Sequence, residues 1–434
     1  MELEKKESVT PAIRLSRNHQ FLILCLFPCY FFIVGFFASP PDEIIEGIIT
    51  ILREPDFLIT DYIQLGGIGA AFINASLLTL TSIAILYCLK IELTGAAVTS
   101  IFLMMGFSLF GKNIINIWSI LLGVILYACF HRQHPSKYIY VGFYGTSLSP
   151  IITEIIYIQH FPAPLALIFS IFVGIVMGFC LPPLATHLFY AHRGFSLYNV
   201  GFASGLIATI VVSVFKAFGL DVESREIWSS GNNTLFMIIM FGFFAILLII
   251  GMITERSRSV LKKYTDILKH PGLAGTDYFA EEGLGASLIN MAVNGAFATL
   301  FVIIAGAQLN GPTLGGIFTI VGFSATGKHL RNIAPIMFGV WLSTLPASRH
   351  ITVPSVILAA LFSTTLAPIA GKYGIIFGIA AGFLHACLAL NIGVINNGMN
   401  LYNNGFAGGL IATFLVPVIN SFEDRRARAK EDVF

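Results

Sequence analysis

Two stretches of this chain are nearly the same. Leu197-Tyr-Asn-Val-Gly-Phe-Ala-Ser-Gly-Leu-Ile-Ala-Thr209 returns as Leu401-Tyr-Asn-Asn-Gly-Phe-Ala-Gly-Gly-Leu-Ile-Ala-Thr413, with 11 identities in 13 positions at an offset of 204. Gly106-Phe107-Ser108 and Gly111-Lys112 return as Gly322-Phe323-Ser324 and Gly327-Lys328 at an offset of 216. At that same offset Thr60-Asp61-Tyr62 matches Thr276-Asp277-Tyr278, Asn74 matches Asn290, and Asn116 matches Asn332. Between these blocks Thr146, Leu148 and Pro150 match Thr364, Leu366 and Pro368. Apolar periodicity can mimic weak similarity, but shared Asn, Lys, Asp and Tyr at fixed offsets cannot. A unit near 60–214 is therefore repeated near 276–418, and the fold must accommodate two related halves.

The repeated unit is apolar nearly throughout. Of 434 residues 56% are hydrophobic and 11% charged, against roughly 25% charged in soluble domains. A spanning helix needs about 20 apolar residues. Each copy holds six such runs, near 66–89, 94–111, 114–130, 138–157, 165–190 and 197–215, then 283–306, 311–326, 333–346, 351–370, 373–391 and 400–418. One further run precedes the copies (20–38) and one joins them (234–253). The expected fold is an all-α integral membrane protein with about 14 hydrophobic segments, some of the Gly-rich ones re-entrant. Its organisation follows: 1–59, a tail, first helix and acidic outer loop; 60–214, repeat 1; 215–275, a linker with one helix and a basic loop; 276–418, repeat 2; 419–434, a tail.

A net charge of +2 provides no basic field for nucleic acid. The six cysteines lie in apolar runs without Cys-x-x-Cys and read as small buried hydrophobes. No metal or cofactor is implied. The run after Arg17 lacks a small-residue cleavage site, so it reads as a retained helix rather than a signal peptide. With the N-terminus in the cytoplasm of a cell with an inner membrane, 20 of the 25 Lys and Arg fall inside, including Arg256, Arg258, Lys262, Lys263, Lys269 and the C-terminal tail. Six crossings plus one linker helix make an odd number, so the second copy starts on the opposite side and the repeats are inverted.

The paired Gly-Phe-Ser-x-x-Gly-Lys and Leu-Tyr-Asn-x-Gly-Phe-Ala-x-Gly-Leu-Ile-Ala-Thr blocks, with the Asn-rich run before Leu401, resemble a family of uncharacterised prokaryotic multi-pass membrane proteins, a domain of unknown function. The resemblance covers nearly the whole chain and implies a permease-like protein, without a known solute or site. The plan is also similar to those of urea channels and elevator transporters, although the linker helix departs from the former.

Inverted repeats place a solute site near the midplane, where broken helices meet. Tyr198-Asn199 and Tyr402-Asn403 are the first candidates, each Asn opening a half-helix as a cap, against a packing role for the Gly-x-x-x-Gly spacings that follow. Asn396, Asn397 and Asn400 belong to a run of six amides in 14 residues, suited to a polar solute or else to an outer loop. Lys112 and Lys328 mark a path or an anion site if deep, and snorkel if at a segment end. Asn74 and Asn290 complete the path candidates, and Asp61 and Asp277 read as caps. Glu154 is the only carboxylate well inside an expected segment. Ser204 lacks the glycine pattern of intramembrane serine proteases, and no catalytic or phosphate-binding motif occurs, so the chain is not expected to be an enzyme. The expectation is a permease or channel for a small polar solute, ion or organic anion, in contact with the lipid bilayer and able to form a homo-oligomer; a scaffold or sensor is the alternative, ahead of an intramembrane enzyme. A single cysteine at Ser230 should react with an impermeant maleimide on intact cells, whereas cysteines at Ser259 or Ala427 should stay protected. Labelling at 259 would overturn the inverted plan.

Overall fold

A computed structural model describes residues 16–56, 59–157, 162–220, 226–255, 259–345 and 350–431. Arg256, Arg258 and Arg349 lie outside these residues. The first half consists of α1 (Arg17–Ala38), α2 (Pro41–Arg53), α3 (Tyr62–Cys88), α4 (Gly95–Phe107), α5 (Trp118–Phe130), α6 (Ile139–Gly145), α7 (Ser149–Tyr157), α8 (Ala163–His192) and α9 (Asn199–Ala217). The second half follows as α10 (Asn233–Thr254), α11 (Ser259–Ile267), α12 (Tyr278–Glu281), α13 (Leu284–Ile304), α14 (Gly311–Phe323), α15 (Leu330–Ser343), α16 (Pro354–Ser363), α17 (Ala367–Tyr373), α18 (Ile375–Ile392) and α19 (Asn403–Glu431). Two two-residue strands, β1 (Ile59–Thr60) and β2 (Glu226–Ile227), pair in parallel.

The protein is an all-helical, multi-pass membrane protein. Among the described residues ten helices are long and apolar enough to cross a bilayer, counting α6–α7 and α16–α17 as one span each. The other four of the fourteen expected segments are α4, α5, α14 and α15, of 13, 13, 13 and 14 residues. At 1.5 Å per residue each is about 20 Å long, short of a hydrocarbon core of about 30 Å. The interruptions within the two composite spans have a local cause. Pro150 and Pro368 lack an N–H and their rings crowd the carbonyl four residues back, and 3₁₀ turns stand there at Thr146–Leu148 and Thr364–Leu366. Five of the cysteines are exposed on outward faces of apolar helices, which corrects the expectation that they are buried; all six are free.

The centre of the molecule is the contact between α4 and α14, in which every residue but Ala96 is buried. The Thr99 hydroxyl donates to Gly322 O at 2.8 Å, while a Cβ on Gly106 would lie 2.9 Å from Gly315 O. The start of one helix thus meets the end of the other, so they run antiparallel at backbone-contact distance. Each also receives a cap from the opposite half. Asp277 accepts from Gly95 N at 3.0 Å while capping α12 through Phe279 N and Ala280 N. Asp61 accepts from Gly311 N at 3.3 Å, from Ile63 N at 2.9 Å, and from both Ser229 N and its hydroxyl. The expected caps are present, but they also join the halves.

The helix expected to be only a linker occupies a repeated position. Gly35 of α1 approaches Gly69 O and Ile73, and Gly251 of α10 approaches Gly285 O and Ile289, all at an offset of 216. Asp61→Ala leaves four donors without an acceptor in a fully buried site, so its melting point in detergent should fall further than that of Asp277→Ala, whose site is only partly buried. The difference expected is about 1–2 kcal/mol, measured by denaturation of both variants.

Candidate functional site

The loops that follow α4 and α14 carry the matched lysines, and the matched asparagines hold those loops. Asn74 Nδ2 donates to Ser108 O (2.7 Å) and Lys112 O (2.9 Å). Asn290 Nδ2 donates to Ser324 O (2.7 Å) and Lys328 O (2.8 Å). Each amide satisfies carbonyls left over where a short helix stops, which an apolar interior otherwise makes costly. Asn74 and Asn290 therefore position the lysines from behind.

Lys112 and Lys328 are both 0% exposed, which excludes snorkelling. Among the described residues neither has an acidic partner within ion-pair distance. Lys328 Nζ donates to the Tyr198 hydroxyl and to Thr364 Oγ1 (2.7 Å), and lies 4.5 Å from the Tyr198 ring centroid. Lys112 Nζ turns instead to Phe143 O at 3.3 Å and Met104 Sδ at 3.9 Å, over the Phe107 ring. The equivalent tyrosine, Tyr402, has its hydroxyl buried without a partner. Tyr198 and Tyr402 rings stand 6.0 Å apart and, with Phe107, Phe323 and Phe362, form an aromatic layer between the lysines.

The first turns of α9 and α19 meet at this layer: a Cβ on Gly201 would lie 3.3 Å from Gly405 Cα. Glycines and tyrosines make this contact, while the Asn199 and Asn403 side chains turn to partners of their own; Asn199 also lines a small cavity beside Tyr198 and Tyr402. Neither asparagine is a cap, contrary to expectation; each is the first residue of its helix. Asn199 pairs with His192 Nε2 (2.9 Å) and donates to Ala185 O (2.8 Å). Asn403 Oδ1 accepts from Asn396 Nδ2 (2.6 Å), while its own Nδ2 is buried without a partner. Asn400 Oδ1 accepts from Tyr402 N (3.0 Å) and its Nδ2 is likewise unpartnered. Asn397 bends the chain at φ 45° and accepts from Lys216.

Related residues line cavities in the two halves. A cavity of about 520 Å³ is bounded by Phe110, Phe362, Ala389, Asn397, Leu401 and Asn404. Two adjoining cavities of about 170 and 180 Å³ share Tyr144, Leu197, Ala274 and Phe323. Leu401 and Leu197 are repeat partners, as are Phe362 and Tyr144. The size difference has a visible source. Helix α8 runs on to His192 and brings Ala185 O to Asn199, whereas α18 stops at Ile392 and Asn403 Nδ2 lacks the corresponding carbonyl.

Asp56 escaped the sequence reading. It is wholly buried between α2 and β1, accepting from the Tyr62 hydroxyl at 2.7 Å and from Asn116 Nδ2 at 2.8 Å. Burial pushes its carboxyl up to about 7 against those hydrogen bonds. Its repeat counterpart is Gly272, in left-handed backbone at φ 69°. That unmatched Asp was the available signal, but it stands in an acidic loop rather than in an apolar run.

These features define a duplicated multi-pass helical protein with two buried lysines flanking an aromatic layer. A profile described as "Protein of unknown function (DUF1576)" matches residues 40–217 and 256–421, and the chain belongs to that family. Comparison with curated proteins and with solved structures returned no match. The two tyrosines should respond oppositely to loss of their hydroxyls. Tyr198→Phe deprives Lys328 of an acceptor and should lower the stability by about 1–3 kcal/mol. Tyr402→Phe removes an unpartnered buried hydroxyl and should leave stability unchanged or raise it; thermal denaturation of both variants checks the contrast.

Proposed function

We propose that the chain is a permease of the cell inner membrane, with both termini cytoplasmic, that moves a small polar solute or organic anion along a path between inverted repeats. The observation that carries this reading is the pair of unequal cavities built from repeat-related residues on two sides of one aromatic layer. Equivalent sequences in two conformations describe one gate open and its counterpart closed. Exchanging the conformations would reverse the access, which is how inverted repeats alternate around a central site. The antiparallel α4–α14 pair and the meeting of the α9 and α19 first turns support the inversion. A channel would need both sides open together, and the closed Lys328 side, whose amine is held by two hydroxyls, favours a carrier. A scaffold needs only packing, and unpartnered buried donors beside a cavity serve no packing purpose.

Closure of the large cavity would bring the end of α18 to Asn403, as α8 already sits against Asn199. A cysteine pair at Ala389 and Asn403 should therefore cross-link with a short bifunctional reagent. Once linked, a third cysteine at Ala274, in the small cavities, should react with a cytoplasmic-side maleimide several-fold faster than before. No change at 274 after efficient linking would overturn alternating access.

A further inference from the structure

The two lysine frameworks differ in what they leave unsatisfied. Around Lys328 the corresponding side chains are paired: its amine reaches Tyr198 and Thr364, the Thr365 Oγ1 accepts from Tyr198 N at 3.0 Å, and Asn199 uses both ends of its amide. Around Lys112 the equivalent groups are open. Ser147 Oγ, Asn400 Nδ2, Tyr402 Oη and Asn403 Nδ2 are buried with no partner, on residues 0, 0, 2 and 5% exposed. They form one neighbourhood: Leu401 N donates to Ser147 O at 3.0 Å, Thr146 Oγ1 and Lys112 Nζ share Phe143 O, and Lys112 Nζ lies 5.9 Å from the Tyr402 ring centroid. Leu401 and Asn404 of the same segment line the large cavity, with Phe362 and Phe107 between it and the amine.

Buried donors without acceptors call for an acceptor-rich partner, since each costs about 1–3 kcal/mol unmet. An ammonium among hydroxyls and amide N–H groups repels a cation and strengthens hydrogen bonds to an anion. Only one lysine lacks a side-chain hydroxyl partner, so one negative charge is matched. Resting on the permease reading, we propose that this framework binds a small organic monocarboxylate, its carboxylate on Lys112 and Tyr402 and a further hydroxyl or carbonyl oxygen on Ser147, Asn400 or Asn403. The complementary framework at Lys328 is the same site closed on itself.

The test is thermal denaturation of the detergent-purified full chain against acetate through hexanoate, their 2-hydroxy and 2-oxo forms, the matching neutral amides, and chloride and phosphate at equal ionic strength. At least one monocarboxylate should raise the melting point with concentration, as binding to the folded state requires, while its amide does not. Lys112→Met should abolish that shift yet melt no lower than the parent without ligand, because it removes a buried amine that has no acidic partner. Should Met fail to fold, Ser147→Ala and Tyr402→Phe, which delete only unpartnered hydroxyls, must still weaken the response at least several-fold. No response across the series, an equal response to the amide, or a response unchanged in Lys112→Met overturns the carboxylate site. A response to chloride or phosphate alone does so too, in favour of an inorganic anion. The Ala389–Asn403 cross-link is read without ligand: alternation there with no carboxylate response sinks only this inference, whereas its absence sinks the permease reading itself.

Discussion

Everything central in this protein depends on burying interrupted backbone in an apolar interior. Helices α4 and α14 stop after 13 residues each, leaving carbonyls and N–H groups that lipid cannot satisfy. The protein meets the need with few groups used twice. Asn74 and Asn290 take up the carbonyls at one end, and Asp61 and Asp277 take up the N–H groups at the other. Because each aspartate caps the other half's helix, neither half completes its own interior alone. Glycines at 106, 315 and 322 then allow the two backbones into contact, so that the interrupted helices are shielded by one another.

That arrangement also explains how two amines come to lie at depth. A lysine on a continuous spanning helix would reach for the headgroups; one on a loop clamped by an asparagine cannot. Held there, Lys328 is stabilised by two hydroxyls and an aromatic face, while Lys112 has a carbonyl, a thioether and a ring. The difference between the lysines is matched by the difference between the cavities and by the shortened end of α18. On the permease reading proposed above, one rearrangement at the second copy would account for all three.

Much of this was legible before any coordinates. The duplication, the membrane class and the pairing of Lys112 with Lys328 and of Asn74 with Asn290 follow from residues at constant offsets, since polar groups survive in an apolar unit only where they have work to do. The aspartate caps were read from their place before a helix. Less legible was the extent of the repeat. Helices α1 and α10 share almost no residues, yet Gly35 and Gly251 pack identically, because lipid-facing apolar side chains are interchangeable and leave no trace of descent.

What the sequence determined by itself is the inventory: two related apolar units and their matched polar residues. Direction was beyond it. Asn199 and Asn403 stand in the best-matched block, but their side chains face α8 and the 396 turn, while the glycines and tyrosines beside them make the central contact. Which face of a helix meets its partner is set by contacts more than 150 residues apart in the chain, and no local pattern encodes them. Only the tertiary structure, too, decided which of two equivalent frameworks is satisfied. Near-identical sequence blocks adopt both states here, because their hydrogen bonds are completed by neighbours, α8 in one case and an open cavity in the other, rather than by the blocks themselves.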